Sequence, residues 1–184
     1  MSNSICPWWL GYSLINPLRG FIHNPEKILK RYISPGKNVM DIGSGMGYFT
    51  LPMAGLLSGS GRVLAVDMQE EMLRALKKRA AKANVHNNIE ARNCTQNSLQ
   101  VSDLRESIDF VLAFAVVHEV PDKDRLFSEI YQALKPGGLV LFAEPKGHVK
   151  EPAFQQSLLV AANACLTVIE RPEIYKCMAA VLKK

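Results

Sequence analysis

The residues most able to do chemistry lie in one short stretch. Val39-Met40-Asp41-Ile42-Gly43-Ser44-Gly45-Met46-Gly47-Tyr48-Phe49-Thr50 starts apolar and β-prone, turns on three glycines, and continues in a helical pattern. Glycines at alternate positions let the backbone turn tightly and let a bulky ligand come where a Cβ would clash. A helix after such a turn aims its first N–H groups at the ligand. Asp41 stands at the carboxyl end of the strand, where open α/β sheets bind ligands. The spacing is Gly-x-Gly-x-Gly, not the Gly-x-Gly-x-x-Gly of a dinucleotide site. A pyrophosphate disfavours an acid beside it, whereas a ligand with an ammonium group favours one. A plain strand-to-helix turn without a ligand is the competing reading.

Further along, Arg62–Asp67 reads as a second strand and ends in a carboxylate about 20 residues past the glycines. A carboxylate can accept both hydroxyls of a ribose diol. Asp67 also suits a helix N-cap, and Met68 after it can lie against a base. His118-Glu119 follows the apolar run Ile108–Val117. Histidine titrates near neutrality, so His118 is the first candidate for a general base; a capping or core histidine is the alternative. Glu144 closes the apolar run Leu139–Pro145, and His148 follows it. Glu119 and Glu144 can hydrogen-bond an acceptor, and His148 is a second base candidate. Their spacing requires no metal, and none is predicted.

The elements that must position these groups are legible. Asn24-Pro25-Glu26 opens a helix with a capping Asn and a Pro at its first position, and Ile28, Leu29, Tyr32 and Ile33 give its apolar stripe. Tyr48–Leu57 reads as the helix after the glycine turn, and Glu70–Asn84 as the helix after Asp67. Ile89–Cys94 is a short third strand. Ile108–Val117 reads as a central parallel strand buried on both faces. A helix from Pro121-Asp122 carries Leu126, Phe127, Ile130, Ala133 and Leu134 inward and stops at Lys135-Pro136-Gly137-Gly138. Glu151–Ala164 is a last helix, and Leu166–Glu170 and Tyr175–Leu182 are two final strands.

Together these pieces resemble the class I S-adenosylmethionine (SAM) dependent methyltransferases, in their small-molecule branch. The resemblance rests on Asp41-Ile42-Gly43-Ser44-Gly45-Met46-Gly47 as motif I, Asp67, His118-Glu119-Val120-Pro121-Asp122, Leu134-Lys135-Pro136-Gly137-Gly138 and Glu144-Pro145. It spans residues 37–145. It implies an α/β fold: a Rossmann-like, seven-stranded, mostly parallel sheet with helices on both faces and a terminal antiparallel strand. It implies SAM as cofactor and S-adenosylhomocysteine as product, held by Asp41, Gly43, Ser44, Gly45, Gly47, Tyr48, Asp67, Met68, Asn93, Cys94 and Ala115. The Gly-Asp-Ala that the family often carries after its third strand is replaced here by Arg92-Asn93-Cys94-Thr95. The acceptor pocket is expected from an N-terminal strap bearing Trp8, Trp9 and Tyr12, with Glu144 and His148. His118 and Glu119 are the candidates for catalysis.

Composition bounds the rest. The 184 residues fit one domain, expected as a strap or lid over 1–24 and a core over 25–184. Apolar residues make up 48% and charged residues 21%, the balance of an ordinary globular protein. No apolar run reaches transmembrane length, and no basic and apolar leader of signal-peptide type opens the sequence. Cys6, Cys94, Cys165 and Cys177 are scattered without a Cys-x-x-Cys pair, which points to reduced thiols and the cytoplasm. Cys6, Cys94 and Cys177 could still meet around a soft metalloid or thiol acceptor. The net charge of +5 is mild, and Lys77-Lys78-Arg79 reads as a solvated helix face, so a nucleic-acid partner is disfavoured. The acceptor is expected to be a small molecule. Alternatives are an RNA or protein methyltransferase, a SAM-binding module without turnover, and a nucleotide-binding oxidoreductase. The sequence sets no oligomeric state.

Overall fold

The computed structural model describes residues 23–184. Trp8, Trp9 and Tyr12, expected to line the acceptor pocket, lie outside the described residues, as does Cys6. Seven strands form a sheet in the order β3-β2-β1-β4-β5-β7-β6. Here β1 is Asn38–Ile42, β2 Arg62–Asp67, β3 Ile89–Asn93, β4 Ile108–Phe114, β5 Leu134–Pro145, β6 Thr167–Glu170 and β7 Cys177–Lys183. The strand β7 runs antiparallel to both of its neighbours, β5 and β6. The predicted mostly parallel sheet with an antiparallel final strand is therefore observed. The chain groups into two compact units that divide between Cys94 and Thr95.

In the first unit, helix α1 (Pro25–Leu29) opens as its sequence predicts, with the Asn24 side chain accepting from the Lys27 N–H at 3.0 Å. It is shorter than its apolar stripe; Tyr32 and Ile33 are buried from turns beyond its end. Strands β1, β2 and β3 pair in parallel, with Ile42 beside Val66 and Asp67 beside Asn93, so their carboxyl ends align. Helix α2 (Thr50–Leu56) begins two residues later than predicted. Gly47 has φ +85 and closes a turn onto the Ser44 carbonyl, and that left-handed backbone cannot belong to a right-handed helix. Pro52 falls in the first turn of α2, where its missing N–H costs little. Helix α3 (Glu70–Lys82) buries Met72, Leu73, Leu76 and Ala80 of the apolar face expected along Glu70–Asn84; Ala83, expected on the same face, lies past the end of the helix and is exposed.

In the second unit, β4 and β5 are parallel; β4 is buried apart from Asp109, and β5 is buried from Val140 to Glu144, as their apolar runs require. Helix α4 (Lys123–Ala133) is capped by Asp122, whose side chain accepts from the Arg125 N–H at 2.9 Å. Helix α5 (Glu151–Asn163) brings Phe154 onto Phe142 of β5, with ring centroids 4.7 Å apart, and Phe127 of α4 meets the same ring edge-on. Two boundaries differ most from expectation. Strand β5 starts at Leu134, so the Lys-Pro-Gly-Gly stop lies inside it. The Gly137 N–H donates to the Lys184 carbonyl and the Lys184 N–H to the Gly138 carbonyl, which keeps this irregular stretch in the ladder. The register against β4 slips there, from Ile108–Leu134 to Phe110–Leu139. Strand β4 ends at Phe114 rather than Val117, because Ala115 takes φ +57 and turns the chain into a 3₁₀ turn over Val117–Glu119.

Candidate functional site

The first unit builds a cradle at the ends of β1 and β2. The Gly43 and Ser44 N–H groups both donate to the Val66 carbonyl, at 2.9 and 3.1 Å, which stitches the glycine turn to β2. The Gly45 N–H donates to Asp67 Oδ2 at 2.8 Å, and the Gln69 N–H to Oδ1 at 2.9 Å. The two Asp67 oxygens thus hold backbone donors and keep acceptor capacity beyond them. Burial pushes the Asp67 carboxyl above its ordinary value, against the backbone hydrogen bonds from Gln69, Gly45 and Met68. Ser44 is 6% exposed, and its Oγ has no hydrogen-bond partner. A Cβ on Gly45 would meet nothing within 4 Å, so the turn faces open space there. Gly47 differs: a Cβ would come 2.6 Å from Leu51 Cδ1 and 3.2 Å from Leu76 Cγ.

Around this cradle several predicted residues take structural partners. Asp41 is buried and accepts from Thr50 Oγ1 at 2.6 Å, tying the turn to the first residue of α2. The Tyr48 hydroxyl donates to the His23 carbonyl at 2.7 Å. The Asn93 amide donates to the Asp67 and Met68 carbonyls, at 3.2 and 3.0 Å, and the Cys94 N–H to the Asp67 carbonyl at 3.0 Å. The end of β3 therefore braces the turn that carries Asp67. Lys77 and Lys78 are exposed as expected, but Arg79 departs from the solvated face and donates from Nη1 to the Met46 carbonyl in the glycine turn.

The second unit carries the histidine. Glu144, 1% exposed at the end of β5, accepts the His118 main-chain N–H at 3.0 Å and lies 2.7 Å from its Nδ1. His118 Nε2 faces Glu119 Oε1 at 3.9 Å. The His148 ring stands edge-on to His118, with centroids 6.2 Å apart. The hydrogen bond to Glu144 raises the His118 pKa above the ordinary histidine value; partial burial opposes this, the charges of Glu144 and Glu119 add to it, and Lys123 works against it. Ala115 holds its left-handed backbone with its N–H on the Ala143 carbonyl at 2.8 Å. The same unit has an open cavity of about 600 Å³ lined by Phe154, Met178, Cys177, Lys146, Arg171 and Tyr175, among others.

The family model described as a methyltransferase domain matches residues 33–179. The chain belongs to this methyltransferase family. Among curated relatives, this methyltransferase domain is 36% identical over 112 residues to an arsenite methyltransferase of Halobacterium salinarum, covering 61% of the chain and 28% of that protein. It is 28% identical over 148 residues to a ubiquinone/menaquinone biosynthesis C-methyltransferase of Pasteurella multocida, covering 77% of the chain and 53% of that protein. The chain thus spans between about a quarter and a half of the length of these relatives. Its fold matches a crystal structure of a SAM-dependent methyltransferase from Aquifex aeolicus, with TM-score 0.87 at 22% identity over 97% of this chain and 99% of that one.

The first unit fits the cofactor that membership of this family implies. The orphaned Ser44 Oγ, the open space at Gly45 and the spare capacity of the buried Asp67 are what a polar ligand with a ribose would complete. Two contributors were missed by sequence reasoning. Thr50 anchors Asp41 and Arg79 braces Met46, and neither has a local sequence signal beyond its residue type. Of the cysteines weighed for a soft acceptor, Cys94 belongs to the first unit and Cys177, buried on β7, to the second. Among the described residues, no group of three or more His, Cys, Asp or Glu could hold a metal ion, and no helix is long and apolar enough to cross a membrane.

Proposed function

We propose that this chain transfers a methyl group from SAM to a small-molecule acceptor, releasing S-adenosylhomocysteine. The observation that carries the reading is the cradle around Ser44, Gly45 and Asp67. When bound, the cofactor supplies an electrophilic methyl on a positively charged sulfur. Asp67 accepts the ribose hydroxyls with the capacity its backbone bonds leave. Ser44 gives its Oγ–H to the ligand and ceases to be an orphan. Gly45 keeps its side free of a Cβ. Asp41, bonded to Thr50, supplies negative charge towards the ligand's ammonium end while it holds the turn. Met68 lies against the adenine, and Asn93 and Cys94 hold the turn that bears it.

A small acceptor suits the second unit, where His118, Glu144 and His148 gather at the ends of β4 and β5. The stretch Val117-His118-Glu119-Val120 lacks the Asn/Asp-Pro-Pro-Tyr/Phe grip for a planar amino group, which disfavours a nucleic-acid acceptor. Four cysteines scattered without a Cys-x-x-Cys pair accord with a reducing compartment, and we assign the protein to the cytoplasm.

Calorimetric titration with SAM and with S-adenosylhomocysteine tests the reading. Both are expected to saturate one site. Asp67→Asn keeps the size of the side chain but removes its charge. It should weaken both ligands by about 100-fold, the loss of roughly 3 kcal/mol from two charge-assisted bonds. Binding of NAD in place of either ligand would overturn the reading in favour of an oxidoreductase.

A further inference from the structure

A buried carboxylate ordinarily needs a cation or several donors to offset its lost hydration. Glu144 finds both needs met by one residue: the main-chain N–H and the ring Nδ1 of His118. Two bonds from one residue fix both the backbone and the ring. A carboxylate only accepts, so Nδ1 carries the proton and the neutral ring keeps its lone pair on Nε2. Among the described residues that atom makes no hydrogen bond, since Glu119 Oε1 is 3.9 Å away, beyond bonding range. The His118 side chain is 26% exposed, within reach of a small molecule. Three residues earlier, Ala115 holds a left-handed backbone, a strained conformation of the kind that places functional turns.

We propose that His118 is the general base for an acceptor that attacks through a hydroxyl or a thiol, and that Glu144 is its positioning residue. The inference rests on the methyl-transfer reading above and narrows its acceptor to a protonated nucleophile. The acceptor's X–H proton passes to Nε2 of His118. The electron pair left on X forms the bond to the methyl carbon, as the carbon–sulfur bond breaks with its pair staying on sulfur. The imidazolium, stabilised by Glu144, then returns the proton to water. The charged and titratable groups around the ring are Glu144 from β5, Glu119 from the same turn, Lys123 from the start of α4 and His148 after β5. The carboxylates outweigh Lys123 and burial, so activity should rise with pH through a value above that of an ordinary histidine.

Imidazole nitrogen NMR on the full ligand-free chain, with His118 assigned through His118→Gln, reads the first half of the proposal. The expected neutral form carries its proton on Nδ1 and titrates above the ordinary histidine value. Glu144→Gln should lower that titration and mix the tautomers. Glu119→Gln, which spares the bond to Nδ1, should lower the titration and leave the tautomer alone; it serves where Glu144→Gln does not fold. The second half is read by turnover of SAM with catechol and with dithiothreitol. The acidic limb of kcat/KM should coincide with the His118 titration and move with it in Glu144→Gln or Glu119→Gln. Glu144→Gln should lose at least tenfold in kcat with its affinity for S-adenosylhomocysteine unchanged. A proton on Nε2, a limb that stays while the titration moves, full turnover by His118→Gln, or no turnover of either probe by a chain that binds S-adenosylhomocysteine would each overturn the proposal. A wild-type chain that binds neither SAM nor S-adenosylhomocysteine overturns the parent reading instead.

Discussion

Ser44 is the residue at which ligand-free stability and ligand affinity oppose each other. Its Oγ is buried with no partner, and an orphaned polar atom of this kind costs about 1–3 kcal/mol. Ser44→Ala removes the orphan and should stabilise the ligand-free chain by about 1 kcal/mol in urea unfolding. The same change removes a bond to the cofactor and should weaken SAM by about fivefold to tenfold in calorimetry. Loss of stability together with unchanged affinity would mean that Ser44 packs the turn and binds nothing. Residues of this sort were legible in sequence because their roles are local: Asp67 stands at the end of its strand and Ser44 between glycines. Asn93 was harder. Its amide is taken by two main-chain carbonyls across the sheet, a pairing that spans 25 and 26 residues and leaves no local pattern. His118 and Glu144, 26 residues apart, were visible as candidate chemistry but not as a hydrogen-bonded pair.

At the scale of the element, the glycine turn separates into parts that sequence spacing treats as equal. Gly45 and Gly47 both have positive φ, so each would strain a side chain. Only Gly47 is also crowded, between Leu51 at the start of α2 and Leu76 on α3. Gly47→Ala must therefore push two packed leucines as well as hold a left-handed backbone, and should cost about 2–4 kcal/mol of stability. Gly45→Ala carries the backbone cost alone, about 1–2 kcal/mol, and should fold. Its methyl would occupy the open side of the cradle, so SAM affinity should fall by more than the stability loss accounts for. Equal thermal shifts in the two variants would show that the turn is packed alike at both positions. The same contrast explains which elements were legible. Strands β2 and β4 and helices α3 and α4 follow from periodicity, because burial of one face or both dictates it. The start of β5 does not: Pro136, Gly137 and Gly138 are loop-forming residues, and only their bonds to Lys184 at the far end of the chain draw them into the sheet.

For the whole molecule, the two resolved pKa shifts of groups that titrate below neutrality or near it point the same way. The Asp67 carboxyl is raised from 3.8 in the fold, because burial disfavours its charge. A raised acid holds its proton more tightly folded than unfolded, so stability falls as pH climbs from about 3.8 through the raised value. His118 is raised from 6.5 by Glu144. Its contribution is fully present below 6.5 and is lost as pH climbs through the folded value. The net charge of +5 acts oppositely, since raising the pH lowers the positive charge and eases self-repulsion. That background is smooth and shared by close variants, so differences between Tm-against-pH curves isolate the two groups. The wild-type curve minus that of Asp67→Asn should fall across the acidic window alone. The wild-type curve minus that of His118→Gln should fall only above pH 6.5, through the raised histidine value. Saturating SAM should flatten the acidic difference, because ribose hydroxyls stabilise the Asp67 carboxylate, and should leave the histidine difference in place. A histidine difference that rises with pH would mean that His118 is held neutral in the fold, and the Glu144 bond would then have to be reassigned.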